Sequence, residues 1–345
     1  MNKIPFNSPH LTGKEIEYII DAHQTGQLAG DGKYTKIASR WIEKLLNVNQ
    51  SLITHSCTAA LEMSAILLDI RPGDEVIMPS YTFVSTANAF VLRGAVPVFI
   101  DVDCMTFNID PASVELAISS KTKAIVVVHY AGISCDMDRI MALAKKYDIP
   151  VIEDAAQALM STYKGKSLGS FGLLASVSFH ETKNIISGEG GALIINDNGL
   201  SSRAEIIREK GTNRSSFFRG EVDKYTWVDL GSSFLPGELT AAFLCAQLEE
   251  AENITQRRLE IWNAYHHAFA ALEADNCLRR QLVPDFCQHN AHMYYLILSG
   301  QYSRHDFIQH LKSNGVHSVF HYVPLHSSPA GAKFGRSVGQ FIGTD

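Results

Sequence analysis

With 345 residues, 46% hydrophobic and 19% charged, the chain has an ordinary globular composition and enough length for one large core and a smaller second domain. Its formal net charge of −6 shows no basic excess, so no nucleic-acid partner is expected. Met1 to Pro9 lack a charged start followed by an apolar stretch, and no run reaches the roughly 18 apolar residues of a membrane helix; a cytoplasmic protein with no membrane partner is expected.

Two helices come first, Lys14 to Gln24 and Thr35 to Leu46, separated by a loop holding Gly26, Gly30, Asp31 and Gly32. A short strand, Ser51 to Thr54, then runs into a helix from Ser56 to Leu68 whose start carries Ser56 and Thr58 hydroxyls. The free amides and positive dipole end of such a start suit a phosphate, although a plain cap has the same residues.

After Arg71-Pro72-Gly73-Asp74 the chain alternates strands (Glu75 to Met78, Val96 to Ile100, Ala124 to His129, Pro150 to Glu153) with helices (Val84 to Leu92, Pro111 to Ile118, Met137 to Lys146). This predicts an α/β protein with a mostly parallel, doubly wound sheet, whose ligands bind at the carboxyl ends of the strands. Those ends carry Ser80-Tyr81-Thr82-Phe83, His129-Tyr130 and Glu153 to Gln157. An apolar strand ending at Ser178-Phe179 and another from Ala192 to Ile195 flank a polar hairpin that presents Lys183 and closes with Gly188-Glu189-Gly190-Gly191.

A helix from Gly199 to Lys210 leads into the irregular stretch 211–227, in which Arg214, Arg219 and Lys224 alternate with aromatics. A loop of that length inside a domain is expected to be functional. Long helical patterns, Glu238 to Arg258 and Ile261 to Leu272, lead out of the first domain. The remainder, with strands Met293 to Leu298 and Val316 to Phe320 around a helix from Arg304 to Ser313, reads as a small α+β domain. Domains of 1–247 and 248–345 follow.

Cys57, Cys104, Cys135, Cys245, Cys277 and Cys287 form no C-x-x-C pair and read as reduced core thiols. The 14 histidines include His289-x-x-His292 and a run from His305 to His310, but no partner set completes a metal site. What remains is an anion-binding helix start, the carboxylate Asp154 at a strand end, and Lys183, 29 positions later. Lysine condenses with carbonyls, a carboxylate keeps a pyridine nitrogen protonated, and a phosphate needs a cradle, so this set suits pyridoxal phosphate. Gly188-Glu-Gly-Gly191 is not a dinucleotide fingerprint, Gly165-Lys166-Ser167 lacks the earlier P-loop glycine, and no G-x-S-x-G elbow is present.

Five motifs, Ser56-x-Thr58-x-Ala60-Leu61, Gly73-Asp-Glu-Val76, Pro79-Ser-Tyr-Thr-Phe-Val-Ser-Thr86, Glu153-Asp-Ala-Ala-Gln157 and Ser178-Phe-x-x-x-Lys183 ending in Gly188-Glu-Gly-Gly191, resemble the DegT/DnrJ/StrS sugar-nucleotide aminotransferases. The resemblance spans Pro5 to about Pro329. It implies the aspartate-aminotransferase-like fold type I, a homodimer, and L-glutamate as amino donor. It further implies that Lys183 bonds the cofactor, Asp154 meets its ring nitrogen, Gln157 lies near its phenolic oxygen, Phe83 stacks on its ring, and Cys57, Thr58 and Ser178 hold its phosphate. The runs Phe179 to Asn184, Lys210 to Arg214 and His321-Tyr-x-Pro-Leu-His326 resemble, more narrowly, a branch that aminates dTDP-4-keto-6-deoxyglucose to dTDP-4-amino-4,6-dideoxygalactose for enterobacterial common antigen.

For the acceptor, Arg214, Arg219 and Tyr225 have the chemistry to hold a diphosphate and stack on a base, and His321 to approach the sugar; a dimer interface would use the same loop residues for packing. Relatives of this type carry an asparagine and an arginine where Ser233 and Leu235 stand here, a departure at the segment through which their neighbouring subunit often touches the cofactor. They also continue for some tens of residues past the position of Asp345, so a truncated small domain is expected. Dehydratases of the fold resemble this family with histidine in place of the lysine, and a non-catalytic regulator is expected to lose Lys183 or Asp154. Both residues are present, which favours transfer.

Overall fold

The computed structural model describes residues 3–345. Helices α1 (Glu15–Gln24) and α2 (Lys33–Leu46) precede β1 (Gln50–Thr54), α3 (Cys57–Leu67), β2 (Glu75–Pro79), α4 (Val84–Val91) and β3 (Val96–Ile100). The alternation continues through α5 (Pro111–Ala117), β4 (Thr122–Val128), α6 (Met137–Tyr147) and β5 (Val151–Asp154). Next come the short strands β6 (Thr162–Tyr163) and β7 (Lys166–Ser167), the pair β8 (Leu174–Ser178) and β9 (Gly191–Ile195), and helices α7 (Ser201–Arg208), α8 (Arg214–Phe218) and α9 (Glu238–Glu249). The last part holds α10 (Ala251–Ala268), α11 (Ala270–Ala274), β10 (Leu278–Arg280), β11 (Cys287–Gln288), β12 (Leu296–Leu298), α12 (Arg304–Ser313), α13 (Pro329–Phe334) and β13 (Arg336–Ser337).

Among the described residues the main sheet has eight strands in the order β1-β9-β8-β5-β4-β2-β3-β13, and only β9 runs against its neighbours. Both faces are covered, so its central strands are largely apolar and alternate between two cores. Ile77, Ile125 and Val127 face one, shared with Ile42 of α2, Ile140 of α6 and Ala241 of α9. Val76, Met78 and Val126 face the other, shared with Leu61 of α3 and Phe90 of α4. Each such fully buried side chain contributes about 1.5–3 kcal/mol of transfer free energy. Helix starts follow local chemistry: Asp110 accepts from Ala112 N at 3.2 Å and Ser113 N at 2.9 Å, with Pro111 at the first helical position.

The chain beyond Gln247 returns repeatedly to this unit. β11 pairs with β6, and β13 lies parallel to β3, where Arg336 Nη2 donates to Glu75 Oε2 at 2.7 Å. The strand expected from Val316 to Phe320 does not form; Val316 makes a single parallel bridge to Ile4, and Val319 and Phe320 are exposed. Its alternation suits a strand, but among the described residues no neighbouring edge offers it a ladder of backbone partners. The expected strand at Met293 is shortened to Leu296–Leu298, which pairs with β10. All six cysteines are free thiols, but only Cys135, Cys245 and Cys287 are core residues; Cys104 is exposed. Among the described residues no helix is long and apolar enough to cross a membrane.

Candidate active site

The sheet register brings distant motifs to one edge. Thr54 at the end of β1 and Ser178 at the end of β8 both pair with Gly191, the first residue of β9, while Asp154 at the end of β5 pairs with Val128 and Ser176. Past Thr54 the chain turns into α3. Ser56 caps it, its Oγ accepting from Ala59 N at 3.1 Å and its carbonyl accepting from Ala60 N at 3.3 Å, so Cys57 and Thr58 supply the first two helical amides. Gly191 matters here, because a Cβ at that position would collide with Cys57 N and Ser56 C. Only glycine lets β9 run against the helix start. Thr58 Oγ1 shares a 2.8 Å hydrogen bond with Ser85 Oγ, and Ser178 Oγ accepts from His180 N at 3.4 Å.

Asp154 is buried, and burial is the main influence that raises its pKa. Its Oδ2 accepts from Thr86 Oγ1 at 2.8 Å and its Oδ1 from Ala156 N at 3.2 Å. Thr82 Oγ1 in turn lies 2.9 Å from Thr86 Oγ1. Both partners of the carboxylate are neutral. The adjacent Glu153 points to the opposite side of the strand, where His129 Nε2 donates at 3.0 Å and the amides of Gly169, Phe171 and Gly172 donate at 2.8, 2.7 and 2.8 Å. Burial pushes its pKa up, but the His129 bond and these amides prevail and hold it below the usual carboxylate range.

Lys183 stands on the loop joining β8 to β9. Cross-links between Phe179 N and Gly190 O (2.8 Å), Glu181 N and Gly188 O (2.8 Å), and Ser187 N and Phe179 O (2.7 Å) close that loop. The buried side chains of Phe179, Asn184 and Ile185 anchor it. Burial lowers the pKa of the Lys183 amine against the opposing fields of Cys57 and Asp154. At neutral pH such an amine is closer to its nucleophilic free base than a surface lysine.

These residues line one cleft of about 2520 Å³. Cys57, Thr58, Phe83, Asp154, Gln157, Ser178, Lys183 and His321 all reach it. Gln157 is already oriented: its Oε1 accepts from Ala131 N at 2.6 Å and its Nε2 donates to Tyr322 OH at 3.0 Å. Phe83, at the cap of α4, is exposed and lies 6.3 Å from the Tyr322 ring. His321 Nδ1 is 3.2 Å from Tyr130 OH.

Arg214, Arg219 and Tyr225, expected beside the acceptor, are not among the residues that line this cleft of their own chain. Arg214 Nη1 donates to Glu209 at 2.8 Å with its guanidinium over Phe218, and Arg219 is paired with Glu205 at 2.8 Å and Glu221 at 2.7 Å. Carboxylates of the same chain already neutralise both forks. The sequence reading assigned no role to Thr86, although it sits in a quoted motif four residues after Thr82, the helical spacing that stacks their hydroxyls. Nor did it give a site role to Tyr295, Tyr322, Arg258 or His292, which line the cleft from the far end of the chain.

The family model for DegT/DnrJ/EryC1/StrS aminotransferases matches residues 9–344. An uncharacterized protein of Methanocaldococcus jannaschii, MJ1066, is 35% identical over 98% of this chain and 88% of its own length. The GDP-perosamine synthase of Caulobacter vibrioides is 33% identical over 95% of this chain and 86% of its own. Among solved structures, the PLP-form of Spr1654 from Streptococcus pneumoniae superimposes with a TM-score of 0.88 at 29% identity, covering 96% of this chain and 88% of that one.

Proposed function

This chain belongs to the DegT/DnrJ/EryC1/StrS aminotransferases, sugar aminotransferases that use pyridoxal phosphate, and we propose that it moves an amino group from L-glutamate to the keto carbon of a nucleotide-linked 4-keto-6-deoxy sugar. The observation that carries this reading is the convergence of Lys183, on the loop after β8, and Asp154, at the end of β5, on one cleft wide enough for a sugar nucleotide.

The residues fit the cofactor on structural grounds. Asp154 is a buried carboxylate with only neutral hydrogen-bond partners, the environment that a protonated ring nitrogen would complete. The first amides of α3, kept open by Gly191, suit a phosphate, with the Thr58 and Ser178 hydroxyls beside them. Phe83 offers an aromatic face and Gln157 an amide hydrogen beyond the one given to Tyr322. When bound, pyridoxal phosphate supplies an electron-accepting ring that makes the donor Cα proton removable. Lys183 Nζ would hold the cofactor through its carbonyl carbon, and as a free amine beside the donor it would serve as the base that takes up the Cα proton and the acid that gives it back. Thr86 and Ala156 N hold the Asp154 carboxylate in place throughout.

Two readings of the nucleotide stand. The runs at Phe179 to Asn184 and His321 to His326 support dTDP-4-keto-6-deoxyglucose, whereas the GDP-perosamine synthase relative supports a GDP sugar. Assaying dTDP-, GDP- and UDP-linked 4-keto-6-deoxyhexoses with L-glutamate, and resolving the amino product by stereochemistry, separates them. Activity on none of the three nucleotides would overturn the reading. The protein works as a cytoplasmic homodimer in this proposal, and the loop 211–227, with Phe218 and Trp227 exposed, serves as a surface between copies.

A further inference from the structure

Beside Lys183 a second, small cavity of about 10 Å³ is bounded by Ser178, Lys183, Asn184, Asn290 and His292. A single water needs roughly 10–15 Å³ by this measure and two to four polar partners. The lining supplies both.

The hydrogen-bond network around the cavity fixes the state of His292. Asn184 Nδ2 donates to Asn290 O at 2.8 Å, so its Oδ1 is the atom turned to His292 Nδ1, 3.0 Å away. A carboxamide oxygen only accepts, hence Nδ1 carries the proton. Burial, reinforced by the Lys183 charge, pushes the His292 pKa well down, so the ring is neutral and Nε2 holds a lone pair. The ring cannot turn away easily. His292 N donates to Asn290 Oδ1 at 3.0 Å, Asn290 Nδ2 donates to the carbonyls of Gln157 and Leu159 at 2.8 Å each, and Arg258 donates to the Ala291 and His292 carbonyls.

We propose that His292 is a positioning residue for Lys183: its Nε2 accepts a hydrogen bond from one ordered water in this cavity, and that water accepts in turn from Lys183 Nζ. The direction is dictated by the lone pair, because the water must donate to Nε2 and therefore has its oxygen free for an ammonium hydrogen. The charged or titratable groups whose fields Lys183 shares are Asp154, Cys57, His292 and His321, and those around His292 are Lys183, Arg258 and His321. Whenever Nζ is not bonded to the cofactor, the relay holds it near the position from which it reaches Cα. It also favours the ammonium, offsetting part of the burial penalty. The inference rests on Lys183 being the cofactor-bonding lysine.

Two substitutions separate this role from a structural one. His292→Asn keeps a donor toward Asn184 but removes the acceptor at Nε2, whereas His292→Gln places a carboxamide at the Nε2 position. The Lys183 pKa is read in cofactor-free protein from the pH-dependent NMR shift of isotope-labelled methyl groups added reductively, assigned by the signal missing from Lys183→Arg. His292→Asn is expected to lower that pKa by about one unit, and to cut the glutamate half-reaction kcat about tenfold while KM stays within about twofold. His292→Gln is expected to stay near the parent in both. Equal behaviour of the two variants, or an unchanged Lys183 pKa in His292→Asn with unaltered thermal unfolding, overturns the relay. Visible cofactor absorbance retained by Lys183→Ala would instead overturn the assignment of Lys183 itself, independently of the NMR result.

Discussion

Thr86 Oγ1 donates to Asp154 Oδ2 at 2.8 Å, tying the first turn of α4 to the carboxyl end of β5. The hydroxyl fixes the direction in which the carboxylate faces the cleft. Thr86→Val conserves shape but leaves a buried oxygen short of a donor, a cost of about 1–3 kcal/mol. Cofactor affinity should fall about tenfold or more, measured by titrating the cofactor-free variant with pyridoxal phosphate; unchanged affinity and turnover would show that Ala156 N alone positions Asp154.

Asp154 also makes stability depend on pH with a defined sign. Its folded pKa is raised by burial, so its contribution to stability is full below the unfolded aspartate value of about 3.9 and is lost as pH rises through the folded value. In cofactor-free protein, the stability of wild type relative to Asp154→Asn should therefore increase as pH is lowered from neutral toward the unfolded aspartate value. Urea unfolding at several pH values checks this, and parallel curves for the two proteins would remove the argument. With cofactor present, Asp154→Asn should still bind it but turn over far more slowly.

Gly191→Ala tests the helix-start cradle. The added Cβ meets Cys57 N and Ser56 C, both backbone atoms that cannot swing aside. We expect the start of α3 to shift and the affinity for pyridoxal phosphate to drop by about two orders of magnitude, more than for pyridoxal lacking the phosphate. Isothermal titration with both compounds reads the difference. Equal losses would point to general unfolding of the edge.

Arg219→Ala should matter little. Its guanidinium is paired with Glu205 and Glu221 on the surface, outside the Lys183 cleft of its own chain. Exposed pairs of this kind contribute little to stability, so the expected change in Tm is within about 2 °C. The KM for glutamate should stay within about twofold in the isolated half-reaction, which involves no sugar nucleotide. A strong rise in the sugar-nucleotide KM alone would return the loop to the acceptor site, by way of a second subunit.

Local sequence determined much of this protein. The unbroken apolar runs at Val76 to Met78 and Ala124 to Val127 pointed to strands covered on both faces, and every position in them is buried. The hydroxyl of Ser56 marked the start of α3 because its side chain bonds an amide three positions on. Lys183 and Asp154 stood out for a different reason: few side chains can condense with a carbonyl or keep a ring nitrogen protonated. Sequence could not say what neutralises a charge. Arg214 and Arg219 had the chemistry of a phosphate site, yet Glu209 and Glu205, brought close by the turn after α7, claim them first. The strand pattern at Val316 to Phe320 failed likewise, because a strand exists only where another edge is open to it. Tertiary structure alone placed Thr86 under Asp154, 68 positions apart, and His292 behind Asn184, 108 positions apart. Periodicity and capping act over one or two helical turns, whereas the groups that orient and tune a buried charge are chosen by which strand ends the sheet register brings together.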